Sequence, residues 1–200
     1  MPEHADLPKE YPHRIPLEVI GNVPPETKML FDDIVREVFM RMWYFDNPPR
    51  HILVTEGPIP TDPSCPGKVD YSNDKKPGPS DSWISVSMEL SHRMLRQLGH
   101  LSVPKNVAAA FILAHEARDF VSTMRGKGYR SYRFDDLDYQ IEAAIEHEEH
   151  PDERLSDRVA SEIVKQRFGY EIDTRRDIHL LGLRLVRAVR NFMKKETTLV

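Results

Sequence analysis

Eight consecutive apolar residues, Val107 to Ala114, run straight into His115, Glu116 and, one helical turn on, Asp119. A run with no polar stripe has no solvent face, so it predicts a central helix covered on most sides by other elements. At 100° per residue Asp119 falls on the same face as His115, together with Ala108, Phe111 and Ile112, so an imidazole and a carboxylate both point inward. Buried polar groups need partners, and that need constrains what the rest of the chain must supply.

The 200 residues, 40% hydrophobic and 30% charged, suffice for one domain with a real core. A net charge of −4 gives no overall pull toward nucleic acid or membrane, so any basic surface must be local. Cys65 is the single cysteine, which excludes an internal disulfide and fits a reducing compartment. It stands in a Pro-rich loop with no basic neighbour close in sequence, which makes it a poor nucleophile. The N-terminus has no apolar leader, and no stretch reaches the roughly 18 apolar residues of a membrane span. Together these predict a soluble, cytoplasmic protein with no membrane partner.

Residues 1–25, with six of the 16 prolines, read as an extended arm, and residues 26–200 as a single domain. From Glu26 to Tyr44 the spacing of Leu30, Ile34, Val38 and Met42, beside Phe31, Val35 and Phe39, predicts an amphipathic helix. Trp43, Tyr44 and Phe45 read as core rather than as a base-stacking platform. Strands are expected at 51–55, 68–71 and 83–88, and the 57–80 segment otherwise reads as a long loop. A helix over 89–98 follows, then the central one, with Pro104 opening it and Gly126 or Gly128 closing it. Beyond a basic, aromatic linker at Tyr129 to Arg133, helices are expected over 136–149, with Leu137, Ile141, Ala144 and Ile145 inward, and over 152–168. A basic last helix, about 174–195, opens on a capping box of Thr174 and Asp177 and carries Leu181, Leu185, Val189 and Phe192 as one ridge. The expected class is α+β: a small mixed sheet of at most three strands packed on the central helix, and a helical C-terminal half.

In the helix from Asp152, Glu153 and Asp157 are one turn apart and head the face continued by Ala160 and Val164. A carboxylate aimed at a core is uncommon unless it is paired, hydrogen-bonded or bound to a cation. His115, Asp119 and Glu153 therefore form a candidate set of three metal ligands, with a water in the open fourth position of a tetrahedral zinc site. Asp157 would accept a hydrogen bond from His115 and fix its tautomer. Glu116 would take the water's proton as it attacks a polarised carbonyl.

His115, Glu116 and Asp119 have the spacing of H-E-x-x-H with Asp in place of the second His. The order helix, strand, strand, strand, H-E helix and E-x-x-x-D helix over residues 26–168 resembles the minimal zincin fold. Glu153 to Asp157 resembles the gluzincin pattern, in which the Glu is a metal ligand. Trp83-Ile-Ser-Val-Ser87 and Val107 to His115 are similar to the strand and helix that precede the motif in short intracellular zincin-like peptidases. The resemblance implies a zinc-dependent hydrolase of peptide or protein substrates, with Glu116 catalytic. Asp119 departs from it. A shorter, anionic ligand draws the ion toward the helix and makes a bound water less acidic, which implies weakened activity, a different metal or a silent site.

Two other classes fit the same residues. One is a zincin-like interaction or structural protein without chemistry, using the arm and the 57–80 loop as its surface. The other arises from His147, Glu148, Glu149 and His150: as ligands, with His92 or His100 and Asp157, they resemble the all-helical HD-type metal phosphohydrolases. That family wants Asp next to its His, where this chain has Glu116, and a solvated acidic helix end is the commoner reading of such a cluster. Arg175, Arg176, Arg184, Arg187, Arg190, Lys194 and Lys195 make the last helix a local candidate for phosphate or nucleic-acid contact, although such runs are more often solvated helix faces.

Overall fold

The apolar run lies in a helix over Lys105–Met124, and Val107 through Ala114 are all buried. The computed structural model describes residues 18–44, 48–71, 82–125 and 137–197, with side chains at all of these except 71, 137–139 and 192–197. In chain order the elements are β1 (Val19–Ile20), α1 (Pro25–Arg41), β2 (His51–Thr55), β3 (Gly67–Tyr71), β4 (Ser82–Ser87), α2 (Met88–Gln97), α3 (Lys105–Met124), α4 (Leu137–Glu149), α5 (Pro151–Phe168) and α6 (Arg176–Thr197). The class is α+β, with a four-stranded mixed sheet in the order β1-β2-β4-β3. β1 and β4 flank β2 in parallel, and β3 pairs antiparallel with β4.

α3 contacts α1, α2, α5, β3 and β4, which is why its apolar run needs no polar face. Phe111, Leu113 and Phe120 are almost wholly buried there, each stabilising the fold by about 1.5–3 kcal/mol through burial. On α1 the expected face is the inner one: Phe31, Ile34, Val35, Val38 and Phe39 are fully buried, with Leu30 and Met42 packed at the margin. β2 alternates, with Ile52 and Val54 inward, whereas the central strand β4 is buried on both faces. Ser87 ends β4 and caps α2, its hydroxyl accepting from Leu90 N at 3.1 Å.

Several expectations are corrected. The sheet has four strands rather than at most three, because Val19 and Ile20, inside the Pro-rich arm, pair with Ile52 and Leu53. Gly21 makes this possible: at φ 136° it passes so close to Val54 that an added Cβ would lie 1.8 Å from the Val54 carbonyl oxygen. The proposed capping box does not form; the Thr174 hydroxyl turns to Asp157, and Asp177 pairs with Arg154. The expected ridge of α6 faces outward, with Leu181, Leu185 and Val189 at 68%, 65% and 51% exposure, because Leu180 and Leu183 are what meet Ile141 and Ile145 of α4. Tyr44 joins Phe39 and Phe120 in the core, but Trp43 is exposed. Residues 1–17, most of the loop tip at 72–81, Phe45, the closing Gly126 and Gly128 and the 129–133 linker lie outside the described residues, as do the side chains of Leu137 and Phe192. No described helix is long and apolar enough to cross a membrane.

Candidate metal centre

α3 and α5 each offer polar residues one turn apart on the faces they turn to each other: His115 and Asp119 from α3, Glu153 and Asp157 from α5. α5 is held in place at both ends. Pro151 and the His150 side chain, whose Nδ1 accepts from Asp152 N, start it, and Gly169 at φ 76° stops it. Arg118, 3% exposed, then ties the helices together, donating from Nη1 to Asp152 O at 3.0 Å and from Nη2 to Asp152 Oδ1 at 2.7 Å.

The structure brings His115, Asp119, Glu153 and Asp157 together. His115 Nδ1 lies 2.8 Å from Asp157 Oδ1, and its other nitrogen, Nε2, lies 3.3 Å from Asp119 Oδ2 and 3.2 Å from Glu153 Oε2. One donor atom from each of His115, Asp119 and Glu153 falls within 4.8 Å of the others, so the group could hold a metal ion. Its dimensions fit one. Ligands at about 2.0–2.1 Å from a tetrahedral ion stand roughly 3.3 Å apart, close to the two nitrogen–oxygen separations seen here. Asp157 fixes the far side of the imidazole, which leaves Nε2 aimed at the two carboxylates.

Further groups surround these four. The Ser156 hydroxyl donates to Asp119 Oδ1. From the segment entering α6, Thr174 Oγ1 donates to Asp157 Oδ2 at 2.7 Å, and Arg176 bonds Asp157, Glu148 at 2.9 Å and Glu153 Oε2 at 3.2 Å. His147 Nε2 lies 3.3 Å from the second oxygen of Glu153. All of these are legible as polar residues in the sequence, but nothing in local spacing says that the start of α6 folds back on α5. By sequence Arg176 reads as part of a solvated basic run, and His147 as part of a solvated helix end. Among the described residues the HD-type ligand set is not brought together: His100 Nε2 contacts the backbone carbonyl of Asp173, His150 caps α5, and the cluster includes no residue of α2.

Burial and charge set the proton affinities. Burial alone would lower the His115 value, but Asp119, Asp157 and Glu153 together hold it well above the ordinary imidazole value. Burial pushes the Asp119 and Asp157 carboxyls up, and His115 with its hydrogen bonds outweighs that, so both titrate below the usual carboxylate range. Glu116, also on α3, has no such hydrogen bonds to offset burial. Its carboxyl is pushed up to about 8, first by burial and then by Asp119, Glu153 and Asp70, against the opposing pull of His115.

Glu116, His115, Asp119 and Glu153 line one cleft of about 720 Å³ whose other walls include Gly67, Val69, Met94 and Leu98. Gly67 keeps it open beside Glu116: an added Cβ would lie 2.2 Å from Ile112 Cγ2 and 3.3 Å from Glu116 Oε1. β3 is the sheet edge on this side, and since Pro66 O accepts from Ser87 N, antiparallel alternation leaves the N–H and C=O of Val69 on the free edge. Comparison with protein families, with curated proteins and with solved structures returned no match.

Proposed function

We propose that this chain is a metal-dependent peptidase, with zinc as its ion held by His115, Asp119 and Glu153. The observation that carries the reading is the position of His115 Nε2, 3.3 and 3.2 Å from one oxygen each of Asp119 and Glu153, with Nδ1 already engaged by Asp157. A bound zinc supplies Lewis acidity toward a carbonyl oxygen and toward water. Glu116, whose carboxyl the positive charge of a bound ion would draw back down from about 8, would supply the base. It takes a proton from water as the oxygen–carbon bond forms, and returns it to the amine nitrogen as the carbon–nitrogen bond breaks. A peptide is the favoured substrate class because the free edge of β3 beside the cleft offers main-chain hydrogen bonds to an extended chain. Arg176 returns one positive charge to a ligand set that Asp119 makes more anionic than a two-histidine set.

Elemental analysis of the purified chain tests the first half, with one zinc per chain expected. Glu116→Gln tests the second: it keeps the metal and abolishes cleavage of a quenched peptide library. A chain that carries no metal after growth and dialysis in zinc sinks the reading.

One observation favours a structural role instead. A protonated His115 among Asp119, Glu153 and Asp157, with Arg176 and Arg118 beside them, is a charge-paired cluster that can stand without an ion. The chain would then be an interaction or structural protein. Chelation separates the two readings: it lowers the melting temperature of a metal protein and leaves that of a salt-bridged one unchanged.

A further inference from the structure

α6 turns a face to solvent that looks like a core. Ile178, Leu181, Leu185, Val186 and Val189 are each between 51% and 68% exposed, and Gly182 stands among them with open space where a side chain would be. At 100° per residue Leu181, Leu185, Ile178, Val189, Gly182 and Val186 span an arc of about 140°, and between Ile178 and Val189 no charged residue falls inside it; Glu196, near the end of the helix, is the first that does. The opposite side of the same helix is already used, through Leu180 and Leu183 against Ile141 and Ile145. Apolar patches of this kind are rarely left open on a lone chain.

We infer that this face of α6 is covered by α6 of a second copy, packed antiparallel about a two-fold axis. Charge favours a copy of itself as occupant. The helix is basic, and bare arginines would repel a second copy, but Arg184 and Arg187 are paired with Glu149 and Glu142 of α4, and Arg176 is drawn into the cluster below. Antiparallel packing with Ile178 opposite Val189 sets Asp177 of each copy, 81% exposed at its side chain, opposite Arg190 of the other, and it opposes the helix dipoles. Parallel packing would set like ends together. The apolar arc runs about 18 Å along a helix of about 33 Å, and a specific pair needs about 1,000 Å² buried, so the flanks of α6 must meet across the axis together with the arc. Spacings of three and four residues from Ile178 to Leu181 to Leu185, with Gly182 beside them, let the two backbones approach closely. The interface is isologous, so each apolar residue is used twice.

Sedimentation of the full chain from about 1 to about 100 µM should show a species of twice the chain mass. The double variant Leu181→Glu, Leu185→Glu should sediment as a single chain, with dissociation at least about 100-fold easier, because four buried like charges replace four apolar contacts. Both positions are exposed in the monomer, so its circular dichroism should be unchanged. Orientation is read by mixing I178C and V189C chains in a Cys65→Ser background: antiparallel packing gives the mixed disulfide and few same-variant ones. A wild-type chain that stays monomeric overturns the proposal, including the case where deleting residues 1–17 then makes it associate, which would assign the face to the arm. A dimer that survives the double variant overturns it too.

Discussion

The contact between α3 and α5 and the contact between α4 and α6 are built from similar sequence patterns, yet they settle charge and apolar surface in opposite ways. Between α3 and α5 the apolar positions are sealed and the charges are inside: Ala117, Ala160 and Ile163 are fully buried around Arg118, Glu153 and Asp157. Between α4 and α6, among the described residues, Ile141, Ile145 and Leu180 are sealed. The pair of Arg176 and Glu148 is part-buried where α6 begins, but the pairs further along, Arg184 with Glu149 and Arg187 with Glu142, lie at the surface, and a second apolar face is left open. An amphipathic period says that a face wants covering. It does not say which of two faces this chain covers itself.

The contrast is sharpest at buried cations. Arg118→Met should cost about 3–5 kcal/mol in urea unfolding, because Asp152 and Ser156 are left facing an apolar stem. A loss below about 1 kcal/mol would erase the distinction between the two contacts. On the proposed metal reading, Asp157→Asn should weaken zinc binding roughly 10–100-fold in a chelator competition by loosening the imidazole it orients. No change there would mean that the arginine and threonine around residue 157, not His115, are its business.

Glu116 gives a test without metal or substrate. Its raised value means that the folded chain holds the proton more tightly than the unfolded chain does. From the ordinary carboxyl value up to about 8 the contribution of this group to stability therefore falls as pH rises, and then levels off. Glu116→Gln removes that dependence, so the metal-free variant should gain on the order of 2 kcal/mol at pH 8 and nothing at pH 4. Equal stabilisation at both values would point to packing instead. The smallest effect belongs to the periphery: Arg184→Ala should change stability by no more than about 0.5 kcal/mol, as exposed pairs do.

Much of this was legible in the sequence, and the rest was hidden for identifiable reasons. The eight-residue apolar run fixed α3 as the centre, and the helical period placed Asp119 under His115 and Asp157 beyond Glu153 without any coordinates. The meeting of the two pairs required only that α3 and α5 face each other, which their polar-headed apolar faces suggested. Arg176 and His147 were missed because their approach depends on how α4 and α6 return to α5, a matter of loop path rather than period. β1 was missed because two residues carry no alternation to detect. The period does not tell the outward face of α6 from the inward one, because Leu180 and Leu183 form an equally periodic stripe on the other side.

Thr174 and Arg176 reach Asp157 from the stretch that leads into the least buried helix. The electrical surroundings of the His115 cluster are thus partly set by the described helix with the fewest buried residues. Rising ionic strength screens the outer pairs of α6 before it touches anything between α3 and α5. Salt then has a physical route to the imidazole, through a helix that never contacts it.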